Sequence, residues 1–418
     1  MWPRLLLLLL LAPWMFIYGT FIGHAQAQTV PSEIKIGSLH ASSGPFASIS
    51  MPVYYTLKMW IDEKNADGGV FVKPYNKKIP IKFISYDDQS STATAATLYN
   101  QLITQDKVDL LVSDSGSVLT SVAVPIAKEH KVFLFDVSGT GGTFFTKDNP
   151  YIALMADPVS TIWPKYIADF LNSSGVAEGI KTVAILYATN DFTTTQANAV
   201  RGFIQAAGKL KIVYDQGVPT STSNYTVLIN NIANANPDAV LHLGYAGNDI
   251  AFFRNLQDSG QKFRFVFGIY PGEEQEELEK NVGATGLTNV FSYVPPSAYN
   301  YVPNVGVTLE QFHAMWDKAH FPGVGFGANA IYGYMTGLVL ERTLATTESL
   351  DQMAIHNAVF ALSDKLKTLD GTFSVNEMGA QVGEITPLGQ LQADGKGGLK
   401  LVVVYPPDLV NGTPIIGK

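Results

Sequence analysis

Asp109–Gly142 reads DLLVSDSGSVLTSVAVPIAKEHKVFLFDVSGTGG. An apolar run, "VDLLVSD", ends in a polar loop, and "SVLTSVAVPIAKEH" then follows with helical character. A second apolar run, "KVFLFDV", leads into the loop Ser138-Gly139-Thr140. Strand, loop, helix, strand, loop at this pace is one βαβ unit of a parallel sheet.

The same rhythm extends upstream. Ile34–Leu39 reads as a strand, Ser42–Pro45 as a loop and Val53–Asn65 as a helix. "KIPIKFISYDD" is the next strand, and "TATAATLYNQLITQ" has helical spacing. Downstream the pattern starts again. "KTVAILYATNDF", "KIVYDQ", "DAVLHLGYAGND" and "FRFVFGIYPGEE" read as strands with loops, separated by helical stretches. Two consecutive runs of α/β units predict an α/β protein of two doubly wound, Rossmann-like lobes. "NVFSYVPPSAYNYVPNVG" then reads as a crossing segment, and "LKLVVVY" as a buried strand in the tail.

With 418 residues, 46% of them hydrophobic, the chain has the length for two ordinary domains. Its N-terminus reads as an export signal: Arg4, an apolar stretch from Leu5, then the A-x-A site Ala25-Gln26-Ala27. Cleavage is expected after residue 27, giving a mature net charge of −9 against −8 for the whole chain. That sign argues against a nucleic-acid partner. There is no cysteine, which excludes disulfides, a lipid-bearing thiol and cysteine-ligated metal. A soluble periplasmic protein is expected.

In parallel sheets, ligands sit beyond the carboxyl ends of strands. Six polar loops fall there: Ser42–Pro45, Ser113–Ser117, Ser138–Thr140, Thr189–Phe192, Tyr245–Asp249 and Tyr270–Glu274. Hydroxyls, backbone N–H groups and aromatic rings suit a small organic solute. Ser117 reads as a solute contact, with an N-cap as the structural alternative. The nucleophile reading lacks support, because Ser115-Gly116-Ser117-Val118 is no G-x-S-x-G elbow and no local pattern brings a histidine. His313 and His320 are no metal pair, and Asp87-Asp88 reads as an Asx loop. "GTPIIGK" at Gly412–Lys418 stops short of the Ser/Thr a phosphate loop requires. No enzyme activity, cofactor or metal is expected.

Taken in order, "IKIGSLHASSGPFA", "FISYDDQSS", the stretch from Asp109 and "FVFGIYPGE" resemble type I periplasmic solute-binding proteins of the leucine/isoleucine/valine-binding family. The likeness spans roughly residues 33 to 405. It implies two lobes joined by a three-segment hinge, with crossings near Ala156-Asp157, Phe291–Tyr293 and Asp370–Phe373. Lobe 1 would be 28–156 and 291–370, and lobe 2 157–290 and 371–418. It implies a monomer that delivers a small-molecule solute to an inner-membrane ABC permease. A ligand sensor of the same fold is the alternative role. By position, Ser117, Ser138 and Thr140 match groups that hold a ligand carboxylate, and Phe192 and Tyr245 match rings that cover it. The family's acidic partner for a ligand ammonium matches Tyr270, with Glu273 and Glu274 displaced nearby. That departure favours a small carboxylate or amide, and the alternative is a branched-chain amino acid held by a shifted Glu273. The family's small first-lobe disulfide is absent.

Overall fold

The apolar runs become sixteen strands in the structure, a computed structural model that describes residues 29–295 and 302–417. In chain order they are β1 Ile34–His40, β2 Val70–Val72, β3 Lys77–Ile79, β4 Ile81–Asp87, β5 Leu110–Val112, β6 Leu134–Asp136, β7 Ile152–Leu154 and β8 Thr182–Ala188. They continue with β9 Lys211–Val218, β10 Ala239–Leu243, β11 Phe265–Phe267, β12 Phe291–Tyr293, β13 Leu366–Lys367, β14 Thr372–Phe373, β15 Leu388–Ala393 and β16 Leu399–Tyr405. Ser32–Lys418 is one compact unit. The expected export signal at 1–27 and most of the Pro- and Tyr-rich stretch lie outside the described residues.

The first sheet is wholly parallel, in the order β4-β1-β5-β6-β7. Side chains alternate between its faces, so both must be apolar. Leu110, Val112, Phe133 and Phe135 pack on one face with the helix Ala328–Thr346. Leu111, Leu134, Ile152 and Leu154 pack on the other. The second sheet runs β16-β15-β12-β11-β10-β8-β9 and is parallel up to β12. β15 and β16 close that edge antiparallel. The two lobes expected from the alternating pattern are present.

The strand order sets the switch points. β1 has β4 on one side and β5 on the other, and β8 has β9 and β10. Helices must leave in opposite directions there, opening a crevice beyond the strand ends. The loops after β5, β8 and β10 carry Ser113–Ser117, Asn190–Phe192 and Tyr245.

Two expected boundaries are corrected. Phe291–Tyr293 is not a crossing into the first lobe, because it pairs with β11 and β15 as a strand of the second sheet. The stretch after Asp370 stays with the first lobe longer: Phe373 and Val375 belong to its core, and Gln381 accepts from Val159 N through its backbone oxygen. The first crossing runs through Asp157, between Ala156, bonded to Val137, and Trp163, packed in the second lobe's core.

A candidate solute site between the lobes

Ser117 opens the helix Ser117–His130, but it does not cap it. Gly116 takes the N-cap position at φ 83°, a conformation that costs glycine little and other residues much. Ser117 Oγ instead accepts from Gly141 N at 3.0 Å, tying the loop after β5 to the loop after β6. Ser138 Oγ lies 3.0 Å from Ser115 Oγ and accepts from Gly116 N at 3.2 Å. Thr140 Oγ1 pairs with Ser160 Oγ at 2.8 Å. One small hydroxyl-rich shelf results.

The second lobe faces that shelf with rings. Asn190 caps the helix Asp191–Ala207 by accepting from Thr193 N, which places Phe192 in the first turn. Tyr245 N donates to Asn248 Oδ1 at 3.1 Å at the start of the helix Ala246–Ser259. Tyr270 is held by its backbone, whose N–H donates to Asp249 Oδ2 at 2.8 Å, and Asp249 Oδ1 is 2.5 Å from His242 Nδ1. Phe192 and Tyr245 lie 5.4 Å apart, and Tyr245 and Tyr270 6.2 Å, between ring centroids. Trp163 meets Phe192 edge-on at 5.3 Å.

These groups line one cavity, closed down in this structure to about 20 Å³ of free room, enough for about one or two waters. Ser117, Ser138, Thr140, Phe192, Tyr245 and Tyr270 all line it. The structure thus brings together all six residues singled out from the sequence. Of the six polar loops, only Ser42–Pro45 stays out; Ser42 N and Oγ both donate to Asp87. Asp87 and Asp88 accept from Gln89 N and Ser90 N, the Asx geometry expected.

The lobes touch across the cavity. Phe46 of the first meets Tyr245 of the second edge-on at 5.2 Å. Asp191 Oδ2 accepts from Thr143 N at 3.2 Å and from Thr143 Oγ1 at 2.9 Å. Asn329 Nδ2 donates to Glu274 Oε1 at 2.7 Å. The Tyr245 hydroxyl is buried against the start of the helix Ser117–His130, beside Ser117 and Val118. An alanine Cβ at Gly116 would lie 3.5 Å from it.

Of one further wall, sequence reasoning raised only Glu273, as the alternative partner for a ligand ammonium. Asp157 and Glu273 line the cavity, with Asn329 and Tyr332 from the start of the helix Ala328–Thr346. Tyr332 OH donates to Asp157 Oδ1 at 2.6 Å. Burial holds the Asp157 and Glu273 carboxyls well above the usual carboxylate range; repulsion from Asp370 adds to it at Asp157, and repulsion from Asp157 at Glu273. Burial also pushes Glu274 up to about 7. Asp157 was visible only as a crossing position, and nothing in its local sequence marks it. Among the described residues, no lysine, arginine or histidine lines the cavity and no cluster suited to a metal ion occurs. No helix among them is long and apolar enough to cross a membrane.

Comparison with known proteins agrees with this architecture. A family model described as periplasmic binding protein matches residues 33–396. A Leu/Ile/Val-binding protein homolog 7 from Brucella abortus (strain 2308) is 23% identical over 394 residues, covering 91% of this chain and 94% of that one. The isoleucine complex of the branched-chain amino acid transporter substrate binding protein LivJ from Streptococcus pneumoniae superposes with a TM-score of 0.71. It is 19% identical, over 90% of this chain and 100% of that one. A solute binding protein of an ABC transporter from R. palustris, in complex with benzoate, also gives 0.71. It is 16% identical, over 92% and 99% of the two chains. The chain belongs to the periplasmic binding protein family, among the type I proteins of the leucine/isoleucine/valine-binding group.

Proposed function

We propose that this protein is the periplasmic receptor of an ABC importer. It captures one small organic solute between its lobes and presents it to an inner-membrane permease. The observation that carries this is the cavity itself, walled by switch-point loops of both sheets and held between lobes already in contact. A solute there satisfies groups from both halves, so its binding favours the closed arrangement. An oxygen-bearing end lies against Ser117, Ser138 and Thr140, and the rings of Phe192, Tyr245 and Tyr270 cover the apolar part. Capture rather than catalysis fits the cavity wall, which offers Ser117 no histidine base among the described residues. Export through the leader at 1–27 and action as a monomer complete the reading.

The test is a thermal-shift panel on protein stripped by unfolding and refolding. It holds branched-chain amino acids, short dicarboxylates, aromatic acids, urea and simple amides. A solute at a hundredfold excess over its Kd stabilises the fold by about 2.7 kcal/mol. The stabilising compound should lose most of its effect on Ser117→Ala, measured against that variant's own solute-free Tm, which drops because Gly141 N loses its acceptor. Product formation from any member of the panel, or an undiminished shift in Ser117→Ala, refutes the reading.

A further inference from the structure

The cavity is chemically lopsided. Its hydroxyl shelf belongs to the first lobe, and a further part of its wall, joined to the shelf through Asn329, is carboxylic. Asp157 and Glu273 face the cavity, and Glu274, Asp370 and Glu384 lie buried close by, near enough to raise one another's affinity for protons. None of the five has an ion-pair partner among the described residues. An ionised carboxylate buried without a partner is costly. The wall therefore either keeps its protons or receives a positive charge from outside.

Asp157 is the member best placed to receive it. It sits on the first crossing between the lobes, where both halves meet. Its backbone is left-handed at φ 63°, a conformation aspartate adopts more readily than most residues. Tyr332 OH fixes one carboxylate oxygen at 2.6 Å. The side chain is thus oriented before any solute arrives, and no protein cation competes for it.

Resting on the receptor reading above, we infer that Asp157 determines specificity by gripping a cationic nitrogen of the solute. The solute then carries an oxygen-bearing end for the serine shelf and an ammonium or amidinium group for the Asp157–Glu273 wall. This reverses the sequence expectation drawn from Tyr270. The acidic partner stands on the inter-lobe crossing, remote in sequence from the loop where the resemblance places it. Tyr270 contributes a ring to the cover.

Calorimetry on the stripped protein with matched pairs tests this. L-leucine is compared with 4-methylpentanoate, and L-phenylalanine with 3-phenylpropanoate; each pair differs by the ammonium alone, and benzoate is added. At least one amine should bind about thirtyfold or more tighter than its deaminated partner. Asp157→Asn, which suits the left-handed backbone, should weaken that amine by at least about thirtyfold. It should leave the deaminated acid as it was or tighter. Tyr332→Phe should weaken the same amine by a smaller factor, which keeps the test open should Asp157→Asn fold poorly. Deaminated acids or benzoate binding as tightly as the amines overturns the inference and leaves the receptor reading standing. So does an amine preference that survives both substitutions. Silence from every probe also sinks the inference, and the wider thermal-shift panel then decides the receptor reading alone.

Discussion

Asp191 stands in the second lobe, yet its carboxylate is claimed by the first. Thr143 donates to it through both N–H and Oγ1, at 3.2 and 2.9 Å. The lobes approach closely there: an alanine Cβ at Gly141 would come within 2.1 Å of Asp191 Oδ2. This is a latch across the cleft mouth. A hydrogen bond to a charged group contributes about 1.5–3 kcal/mol when shielded. Thr143 is exposed and Asp191 half-buried, so screening reduces the two together to about 1–2 kcal/mol. Asp191→Ala removes that from the closed state and leaves the open state unchanged. Because apparent affinity scales with the closed fraction, solute binding should weaken by about five- to thirtyfold. The Tm of the solute-free protein should hardly move. Gly141→Ala should do the same from the other side, by wedging the latch apart, and the double variant should be no worse than either single one. Calorimetry on the three variants reads these factors. Additive losses, or wild-type affinity in Asp191→Ala, would show that the contact does nothing for closure.

Two predictions concern the body of the protein. Burial pushes the Asp136 carboxyl up to about 7, so the fold holds a proton there that the unfolded chain gives up above about 4. Its contribution to stability is full below that value and is lost as pH rises toward 7. The slope reaches about 1.4 kcal/mol per pH unit. Asp136→Asn keeps the acceptor for Gly139 N and Ser113 Oγ, so urea unfolding at pH 5 and 7 should show a shallower fall than wild type; an unchanged slope would refute this. Gly337 lets the helix Ala328–Thr346 lie against Trp60, since an alanine Cβ would fall 2.3 Å from Trp60 Cδ2. Gly337→Ala should therefore overpack the first lobe and cost about 1–3 kcal/mol in denaturant unfolding, and a rise in stability would contradict it.

Much of this was legible in the chain for a physical reason. Strands of a parallel sheet are buried on both faces, so they read as short apolar runs, and DLLV or KTVAILY could hardly be anything else. Ligand loops follow such runs, which is why Ser117, Ser138, Thr140, Phe192, Tyr245 and Tyr270 could be picked from local sequence. What failed was nonlocal. Asp157 belongs to the wall because it meets Tyr332, 175 residues away. β15 hides because Leu388–Ala393 has no β-branched residue and is defined by its antiparallel partners. Phe291–Tyr293 looked like a linker because only Val294 separates its three residues from Pro295-Pro296. Ser117 was weighed as a cap, but Gly116 took that place by its positive φ.

Solution scattering on the stripped protein, with and without the solute that gives the largest thermal shift, tests the central claim most directly. The stripped protein should be more extended than the closed structure and contract, on addition of one equivalent, to the radius calculated from that structure. A radius that stays the same with saturating solute would contradict capture by closure of the two lobes.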